Sequence, residues 1–222
     1  MKKIKAIVFD LDGTLLNTLG DLSENLNRVL SRRGHPTHSQ EKYKIMVGRG
    51  LRQLTLAATQ ELSLTDQEFE HLFDEFQKEY RLHPTDHTKP YDEILEMLEA
   101  FGEGVQLFVL SNKEHQMTLR VVKQILGHID FVEIHGMKPG VPGKPDPTVL
   151  KSILSGYNLD PEEVLYLGDS DVDMETALGA GVKACGALWG FRQRDELIAS
   201  GAQELFESPG KFMDYAINSI KK

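Results

Sequence analysis

Two aspartates separated by one residue, Asp10 and Asp12, are the first residues in the chain whose type and spacing point to chemistry. They follow the apolar run 4–9, which is short and rich in β-branched and aromatic residues and therefore predicts a buried strand. Gly13 comes next and allows a tight turn. Because ligands of open α/β sheets bind outside the carboxyl ends of the strands, we expect a functional site here.

The spacing of the two carboxylates leaves three interpretations open. If strand geometry continues, both side chains point to the same face, where two like charges about 4 Å apart repel by roughly 4 kcal/mol at an effective dielectric near 20. Either one carboxyl then holds a proton, as a general acid does, or a cation lies nearby. The third interpretation is a polar turn that follows a strand.

Composition limits the class of protein. The chain has 222 residues, of which 40% are hydrophobic and 27% charged. These values are typical of a globular protein with one α/β domain plus an insertion, or with two small domains. The formal net charge of −9 argues against a broad nucleic-acid surface and against docking on anionic lipid.

Cysteine usage and hydropathy indicate the compartment. The single cysteine, Cys185, excludes an intrachain disulfide and fits a reducing environment. Its apolar surroundings predict a buried small side chain rather than a nucleophile. No apolar stretch approaches about 20 residues, and Asp10 and Asp12 interrupt any signal-peptide core. We therefore expect a cytoplasmic protein without a membrane partner; monomer and homodimer both remain open.

The rhythm of apolar residues predicts an α/β fold. Residues 15–89 show four helical stripes and no strands, and Thr65 with Glu68 forms a capping-box pattern at the fourth. After residue 90, helices alternate with short apolar strands, which predicts a parallel, Rossmann-like sheet with right-handed crossovers. The predicted domains are an α/β core of residues 1–14 and 90–222 and an inserted helical domain of residues 15–89, with hinges near 15–19 and 89–90.

Polar residues follow three of the predicted strands and occupy one loop. The residues expected to meet at the carboxyl edge of the sheet are Asp10, Asp12, Ser111, Asn112, Lys144, Asp169 and Asp173. Singly, each also fits a turn, a helix cap or a solvated loop. Together, the carboxylates cannot all be ionised without a cation, and oxygen-only ligands select a hard ion, with Mg²⁺ expected. Lys113 is interpreted as helix surface, and the tail as one or two helices.

In their order along the chain, these residues resemble the four motifs of the haloacid dehalogenase superfamily of phosphohydrolases. The matching stretches are DLDGT at 10–14, Ser111-Asn112, Lys144 and GDSDVD at 168–173. The resemblance spans nearly the whole chain. It implies that residues 15–89 form the helical cap of the subclass with phosphoglycolate phosphatases, β-phosphoglucomutases and pyrophosphatases. The stretch 182–191 and the tail at 208–209 are most similar to phosphoglycolate phosphatases.

The resemblance implies a role for each of the catalytic residues. Asp10 is the nucleophile that forms an aspartyl phosphate. Asp12 is the general acid that protonates the leaving alkoxide and then the base that activates water. Lys144 offsets the negative charge of the nucleophile and the phosphate.

The resemblance also implies a metal site and a substrate site. Mg²⁺ is held by Asp10, the Asp12 backbone carbonyl and Asp169, with Asp173 behind them or joined through water. The implied substrate-binding residues in the core are Thr14, Ser111 and Asn112. In the predicted cap, Arg49 between two glycines is expected to bind a carboxylate or a second phosphate in bidentate fashion, and a solvated arginine is the alternative.

The predicted function is a Mg²⁺-dependent phosphatase for a small phosphorylated metabolite, either phosphoglycolate-like or a sugar phosphate. A β-phosphoglucomutase-like transferase with the same acid pair is the alternative, and a non-catalytic scaffold on the same fold is the third hypothesis. A dehalogenase lacks an acid at the position of Asp12. A phosphonatase needs a cap lysine, for which Lys42 and Lys44 are weak candidates.

Overall fold

The computed structural model describes residues 2–101 and 104–220. Its strands are β1 (Ala6–Phe9), β2 (Leu16–Asn17), β3 (Lys89–Pro90), β4 (Gln106–Glu114), β5 (Glu133–Met137), β6 (Val164–Gly168), β7 (Lys183–Ala187) and β8 (Glu204–Phe206). Its α-helices are α1 (Leu19–Arg32), α2 (Gln40–Met46), α3 (Leu51–Thr59), α4 (Asp66–Leu82), α5 (Ile94–Phe101), α6 (His115–Leu126), α7 (Thr148–Gly156), α8 (Asp171–Gly179), α9 (Arg194–Ala199) and α10 (Pro209–Ile220).

Six strands form one parallel sheet in the order β5-β4-β1-β6-β7-β8. The central strand β1 lies between β4 and β6, and the chain builds outward from it in both directions. Such a reversal of strand order leaves a crevice at the carboxyl ends of the strands, where ligands bind in open α/β sheets. The predicted α/β fold with a parallel core is confirmed.

The inner strands β1 and β6 are buried on both faces because helices cover the sheet on both sides. In β1, Ile7 and Phe9 belong to one hydrophobic cluster, whereas Ala6 and Val8 belong to the other. This division follows the period of two in a strand. In β7, Cys185 is fully buried, and burial raises the pKa of its thiol to about 12. Cys185 is therefore a packed core residue, as predicted.

Helices α1 to α4 form a continuous helical segment between β1 and β4, which we call the helical segment (residues 15–89). At its fourth helix the Thr65 side chain accepts from the Glu68 amide while the Glu68 carboxylate accepts from the Thr65 amide at 2.8 Å, so the capping box is confirmed. Among the described residues, no helix combines the length and the hydropathy needed to cross a bilayer.

The helical segment is not free of strands, and that part of the prediction is wrong. Its two connections to the core run side by side, and β2 pairs with β3 in an antiparallel two-residue ladder. The Tyr91 amide extends the ladder by donating to the Leu15 carbonyl at 3.3 Å. The two segments that connect the helical segment to the core therefore form backbone hydrogen bonds with each other. The predicted hinges are therefore joined.

Two strand boundaries also differ from the prediction. The apolar run 105–110 ends early, yet β4 continues through Ser111, Asn112 and Lys113 with a register shift against β5. The tail contains the edge strand β8 in addition to two helices. The extension of β4 matters for function, because it turns the predicted surface residue Lys113 into a buried strand residue.

Candidate active site

Strand β1 delivers Asp10 to the carboxyl edge of the sheet, where it contacts a buried lysine. The ammonium nitrogen Nζ of Lys144 lies 2.7 Å from Asp10 Oδ1 and 2.6 Å from Asp173 Oδ1. Asp173 is in the first turn of α8, and its Oδ2 also accepts from the Ser170 amide at 3.1 Å. All three charged side chains are buried. Residues distant in sequence thus meet in one ionic cluster.

Asp169 follows β6 and is fixed by donors from two other parts of the chain. Its Oδ1 accepts from Thr14 Oγ1 at 2.9 Å, and its Oδ2 accepts from the Phe191 amide at 2.7 Å. A Cβ at Gly13 would lie 2.3 Å from Asp169 Oδ2, and one at Gly190 would lie 2.2 Å from Asp169 Cβ. Any larger residue at these two positions would clash with Asp169. The glycines leave room for the carboxylate, and the two hydrogen bonds hold it in one orientation.

Burial and mutual repulsion make this cluster electrostatically costly. Burial, followed by the Asp173 charge, raises the pKa of Asp10 well above its usual value, and Lys144 opposes that rise. Burial and Asp173 likewise raise the pKa of Asp169 to about 7. Burial works to lower the pKa of Lys144, but Asp10 and Asp173 raise it overall. One ammonium therefore contacts two of the three clustered carboxylates, Asp10 and Asp173. An additional cation would favour the ionised forms of all three.

The donor set fits a divalent metal ion. Asp10, Asp169 and Asp173 each offer a carboxylate oxygen within 4.8 Å of the others. Asp173 already accepts from Lys144, Ser170 and, at 3.2 Å, from the Tyr166 hydroxyl. Asp10 and Asp169 consequently have the greater remaining capacity to bind a hard cation with oxygen ligands.

Asp12 lies beside a second buried lysine, which corrects the interpretation of Lys113 as helix surface. Nζ of Lys113 is 3.1 Å from Asp12 Oδ2 and donates to the Tyr80 hydroxyl of α4 at 2.6 Å. Burial works to lower the pKa of Lys113, but the Asp12 carboxylate and the Tyr80 hydroxyl raise it overall. The other oxygen, Asp12 Oδ1, is buried and has no hydrogen-bond partner among the described residues.

The core residues expected to bind substrate divide into two groups. Ser111 lines a cavity at the site. By contrast, Asn112 uses its amide inside the protein: Nδ2 donates to the carbonyls of Gly48 and Lys144 at 3.1 and 2.9 Å, and Oδ1 accepts from the Lys144 amide at 2.8 Å. The Thr14 hydroxyl is fully buried behind Asp169. Asn112 and Thr14 therefore hold other site residues in place.

The helical segment covers the site. The cavity between it and the sheet is lined by Leu22, Val47, Leu51 and Leu54 on one side and by Asp10, Asp12, Ser111 and Lys113 on the other. The cavity is small, with a volume of about 30 Å³. Arg49 reaches the core, where its guanidinium pairs with Asp171, and its side chain remains 51% exposed. In this arrangement the segment is closed over the cluster.

The loop after β7 contributes to the site, a role that was not predicted from the sequence. Trp189 Nε1 donates to the Thr14 carbonyl at 2.9 Å, and the Phe191 amide binds Asp169. Arg192 donates to the carbonyls of Lys44 and Val47 in the helical segment, both at 2.7 Å. A backbone amide leaves no residue-type signal, whereas the arginine after Gly190-Phe191 is visible in the sequence.

A model of haloacid dehalogenase-like hydrolases matches residues 7–187. The chain belongs to this family. The resemblance predicted from four short motifs is confirmed, and the match includes every residue proposed for the site. Among haloacid dehalogenase-like relatives, a phosphoglycolate phosphatase of Aquifex aeolicus is 32% identical over 194 residues, which cover 85% of this chain and 86% of the relative.

Other relatives extend the similarity over nearly the whole chain. An N-acetylmuramic acid 6-phosphate phosphatase of Pseudomonas aeruginosa is 31% identical and covers 96% of this chain and 94% of its own length. A crystal structure from Haemophilus somnus, described as a predicted phosphoglycolate phosphatase, superposes with a TM-score of 0.89 at 26% identity over 97% of this chain and 99% of that one. A structure from Bacteroides vulgatus with a provisional β-phosphoglucomutase name has a TM-score of 0.76 at 19% identity, covers 99% of this chain and 91% of that one, and shows a shared fold only.

Proposed function

We propose that the chain is a metal-dependent phosphatase that hydrolyses a small phosphate monoester through an aspartyl phosphate on Asp10. One observation carries the proposal: Asp10 Oδ1 is 2.7 Å from the buried ammonium of Lys144, beside the carboxylate of Asp169. A carboxylate next to fixed positive charge is suited to attack phosphorus, because the lysine offsets the charge of both reactants. The phosphatase names of the relatives agree with this reaction class.

The proposed cofactor is Mg²⁺. Carboxylate oxygens of Asp10 and Asp169 and the backbone carbonyl of Asp12 would hold it, with Asp173 behind them as the partner of Lys144. When bound, the ion polarises a phosphoryl oxygen and neutralises negative charge. Without a cation, the raised pKa values of Asp10 and Asp169 favour their neutral forms. Both carboxyls must be ionised to act as ligands, and a bound cation would stabilise those ionised forms.

The chain's own residues account for both chemical steps. An Asp10 carboxylate oxygen bonds to phosphorus while the ester oxygen leaves and takes a proton from Asp12. Asp12 then removes a proton from water, and the resulting hydroxide bonds to the same phosphorus. The acyl-phosphate bond breaks, inorganic phosphate leaves and the Asp10 carboxylate is restored. We assign the Ser111 hydroxyl and the backbone amides after Asp10 to the phosphate oxygens.

The same proposal gives the two parts of the chain separate tasks. Residues 1–14 and 90–222 form the catalytic core, and the helical segment acts as a cap that selects the leaving group. Leu22, Leu51 and Leu54 of the helical segment line the cavity opposite Asp10 and Asp12, so this segment would contact the leaving group. A phosphoglycolate-like substrate is proposed because the Aquifex aeolicus relative carries that name, and a sugar phosphate is the alternative because the Pseudomonas aeruginosa relative acts on one by its name.

The remaining sequence-based alternatives carry less support. A mutase with the same acid pair has only fold-level similarity on its side. A non-catalytic scaffold gives no reason for a cluster of three buried carboxylates, two of which contact the same buried lysine. A cytoplasmic location, the monomer or homodimer state and the exclusion of nucleic acid and membrane partners remain predictions from the sequence.

Phosphate release from 2-phosphoglycolate and p-nitrophenyl phosphate tests the proposal. We expect turnover with Mg²⁺ that stops with EDTA and falls at least about 10³-fold in Asp10→Asn, whose thermal unfolding should show a folded protein. Mutase activity would appear as an isomeric sugar phosphate, formed without free phosphate and dependent on a bisphosphate activator. Folded wild-type protein that turns over no phosphate ester would contradict both enzymatic functions.

A further inference from the structure

Lys113 and Tyr80 have no task in the chemistry described above, although both are buried beside Asp12. We propose that Lys113, held by Tyr80, is the positioning residue for the general acid and base Asp12, and that docking of the helical segment on the core strengthens this hold through the Tyr80 contact. This inference rests on the proposed phosphatase function. It concerns the orientation of Asp12 and assigns Lys113 no contact with the reacting atoms.

The contacts of Lys113 show how its ammonium can fix the position of the Asp12 carboxylate. The side chain of Lys113 is 2% exposed, so its ammonium has little access to solvent and depends on protein partners. It lies 3.1 Å from Asp12 Oδ2 and 2.6 Å from the Tyr80 hydroxyl. A charge-assisted contact to one carboxylate oxygen and a neutral acceptor on the other side fix the position of the ammonium.

The contact leaves one oxygen of Asp12 for proton transfer. Lys113 holds Oδ2, whereas Oδ1 is buried without a hydrogen-bond partner among the described residues, and Asp12 lines the cavity. General acid catalysis requires the proton to lie within hydrogen-bond reach of the leaving oxygen. A displacement of about 1 Å in a catalytic group can cost about 10²-fold in rate. The ammonium therefore determines whether Oδ1 reaches the leaving group.

Tyr80 connects this geometry to the helical segment. It lies in the last turns of α4 and is buried, whereas Lys113 is in β4 of the sheet. Its hydroxyl contacts Lys113 because the segment lies against the core. Docking of the segment thus adds one polar contact that stabilises the position of Asp12, in addition to closing the cavity over the substrate.

Leaving-group dependence tests the inference. An alkyl phosphate such as 2-phosphoglycolate needs a proton on its leaving oxygen, whereas p-nitrophenolate leaves well without one, and kcat/KM reports the steps up to departure of the leaving group. We expect Lys113→Met to lower kcat/KM about 10²-fold for 2-phosphoglycolate and less than about 10-fold for p-nitrophenyl phosphate. Tyr80→Phe should shift the ratio in the same direction by roughly 3- to 10-fold, and Lys113→Arg should recover part of the loss.

The control variant is Lys123→Met on the exposed side of α6, which removes the same charge and should leave both kcat/KM values unchanged. Equal losses on both substrates in Lys113→Met, or a higher KM alone, would overturn the positioning role. If Lys113→Met does not fold, Tyr80→Phe decides: an unchanged substrate ratio in that variant overturns the inference. Failure of the phosphatase proposal is distinguishable, because the wild type would then hydrolyse neither ester.

Discussion

Arg192 donates a hydrogen bond from Nη2 to the carbonyl oxygen of Val47 at 2.7 Å. Its Nη1 donates to the Lys44 carbonyl at the same distance. Both acceptors lie at the carboxyl end of α2, where a helix leaves carbonyls unpaired and carries partial negative charge. The planar guanidinium matches two such acceptors at once. Arg192, in the loop after β7, thus caps the carboxyl end of α2. The two hydrogen bonds hold the helical segment over the cavity.

We expect Arg192→Met to weaken closure of the segment. Loss of two bonds from a charged donor should raise the KM for 2-phosphoglycolate at least about tenfold. Arg192→Lys should recover little, because an ammonium lacks the fork geometry. The measurement is steady-state phosphate release. Arg194→Met is the control: it removes an exposed charge two residues away and should leave KM unchanged. An equal KM in both variants would show that the Arg192 bonds do not govern closure.

The raised pKa of Asp169 predicts how the metal-free protein responds to pH. Burial, with the Asp173 charge next, raises this pKa to about 7, whereas an unfolded aspartate titrates near about 4. Between these values the folded state binds more protons than the unfolded one, so the free energy of unfolding falls as pH rises. The contribution, roughly 4 kcal/mol, is complete below about pH 4 and lost above about pH 7.

Urea unfolding in EDTA at about pH 5 and about pH 8 measures this effect. Asp169→Asn should remove much of the difference between the two pH values, because an amide does not titrate. Mg²⁺ should stabilise the wild type more at the higher pH, where it does not compete with protons. A pH dependence that is the same in Asp169→Asn and the wild type would contradict the prediction.

The glycine contacts around Asp169 predict a loss of metal binding without a change of charge. A Cβ at Gly190 would lie 2.2 Å from Asp169 Cβ and 2.5 Å from the Gly13 carbonyl oxygen. Gly190→Ala must therefore displace the carboxylate or the backbone, at a cost of roughly 1–3 kcal/mol in stability. We expect the Mg²⁺ concentration for half-maximal activity to rise at least about tenfold.

Gly34→Ala is the matched control for this substitution. Gly34 has a φ of +71°, and a Cβ there would meet nothing within 4 Å. The strain of the left-handed region costs about 1–2 kcal/mol, so this variant loses stability for a reason unrelated to the site. Its Mg²⁺ dependence should match the wild type. If both variants show the same Mg²⁺ dependence, the close packing of Gly190 on Asp169 does not matter for the metal.

The polar edge of the sheet was predictable because short apolar strands end at polar residues there. Asp10 follows β1 and Asp169 follows β6, and parallel strands carry such residues to the same edge. Helix α8 begins at Asp171, which places Asp173 in its first turn near Asp169. These positions depend on local patterns of hydrophobicity, and the sequence contains those patterns directly.

The parts that the sequence did not predict depend on tertiary contacts. Lys113 follows a polar Ser-Asn pair, which is typical of a strand end. The strand nevertheless continues past it, because Glu114 pairs with Met137 of β5 after a register shift. The Phe191 amide binds Asp169 through the backbone, so any residue type except proline would serve. The ladder between β2 and β3 joins segments more than 70 residues apart through two residues each, too few for a periodic pattern.

The ion pair between Arg49 and Asp171 competes with the predicted role of Arg49 in substrate binding, and the two roles can be tested against each other. The arginine side chain is 51% exposed, and an exposed ion pair contributes only about 0–1 kcal/mol. Arg49 can therefore leave Asp171 for an anionic group on the substrate at little cost. We expect Arg49→Ala to raise the KM for 2-phosphoglycolate about tenfold and to change that for p-nitrophenyl phosphate much less, since that ester has no second anion.

Asp171→Asn separates the two roles of Arg49. It removes the competing carboxylate, frees the guanidinium, and should leave the KM for 2-phosphoglycolate equal to or below the wild-type value. If Arg49 serves only to hold the helical segment on the core, both substitutions break the same contact. They should then raise the KM of both esters to a similar extent. That pattern in steady-state assays would exclude Arg49 as the residue that recognises a second anionic group.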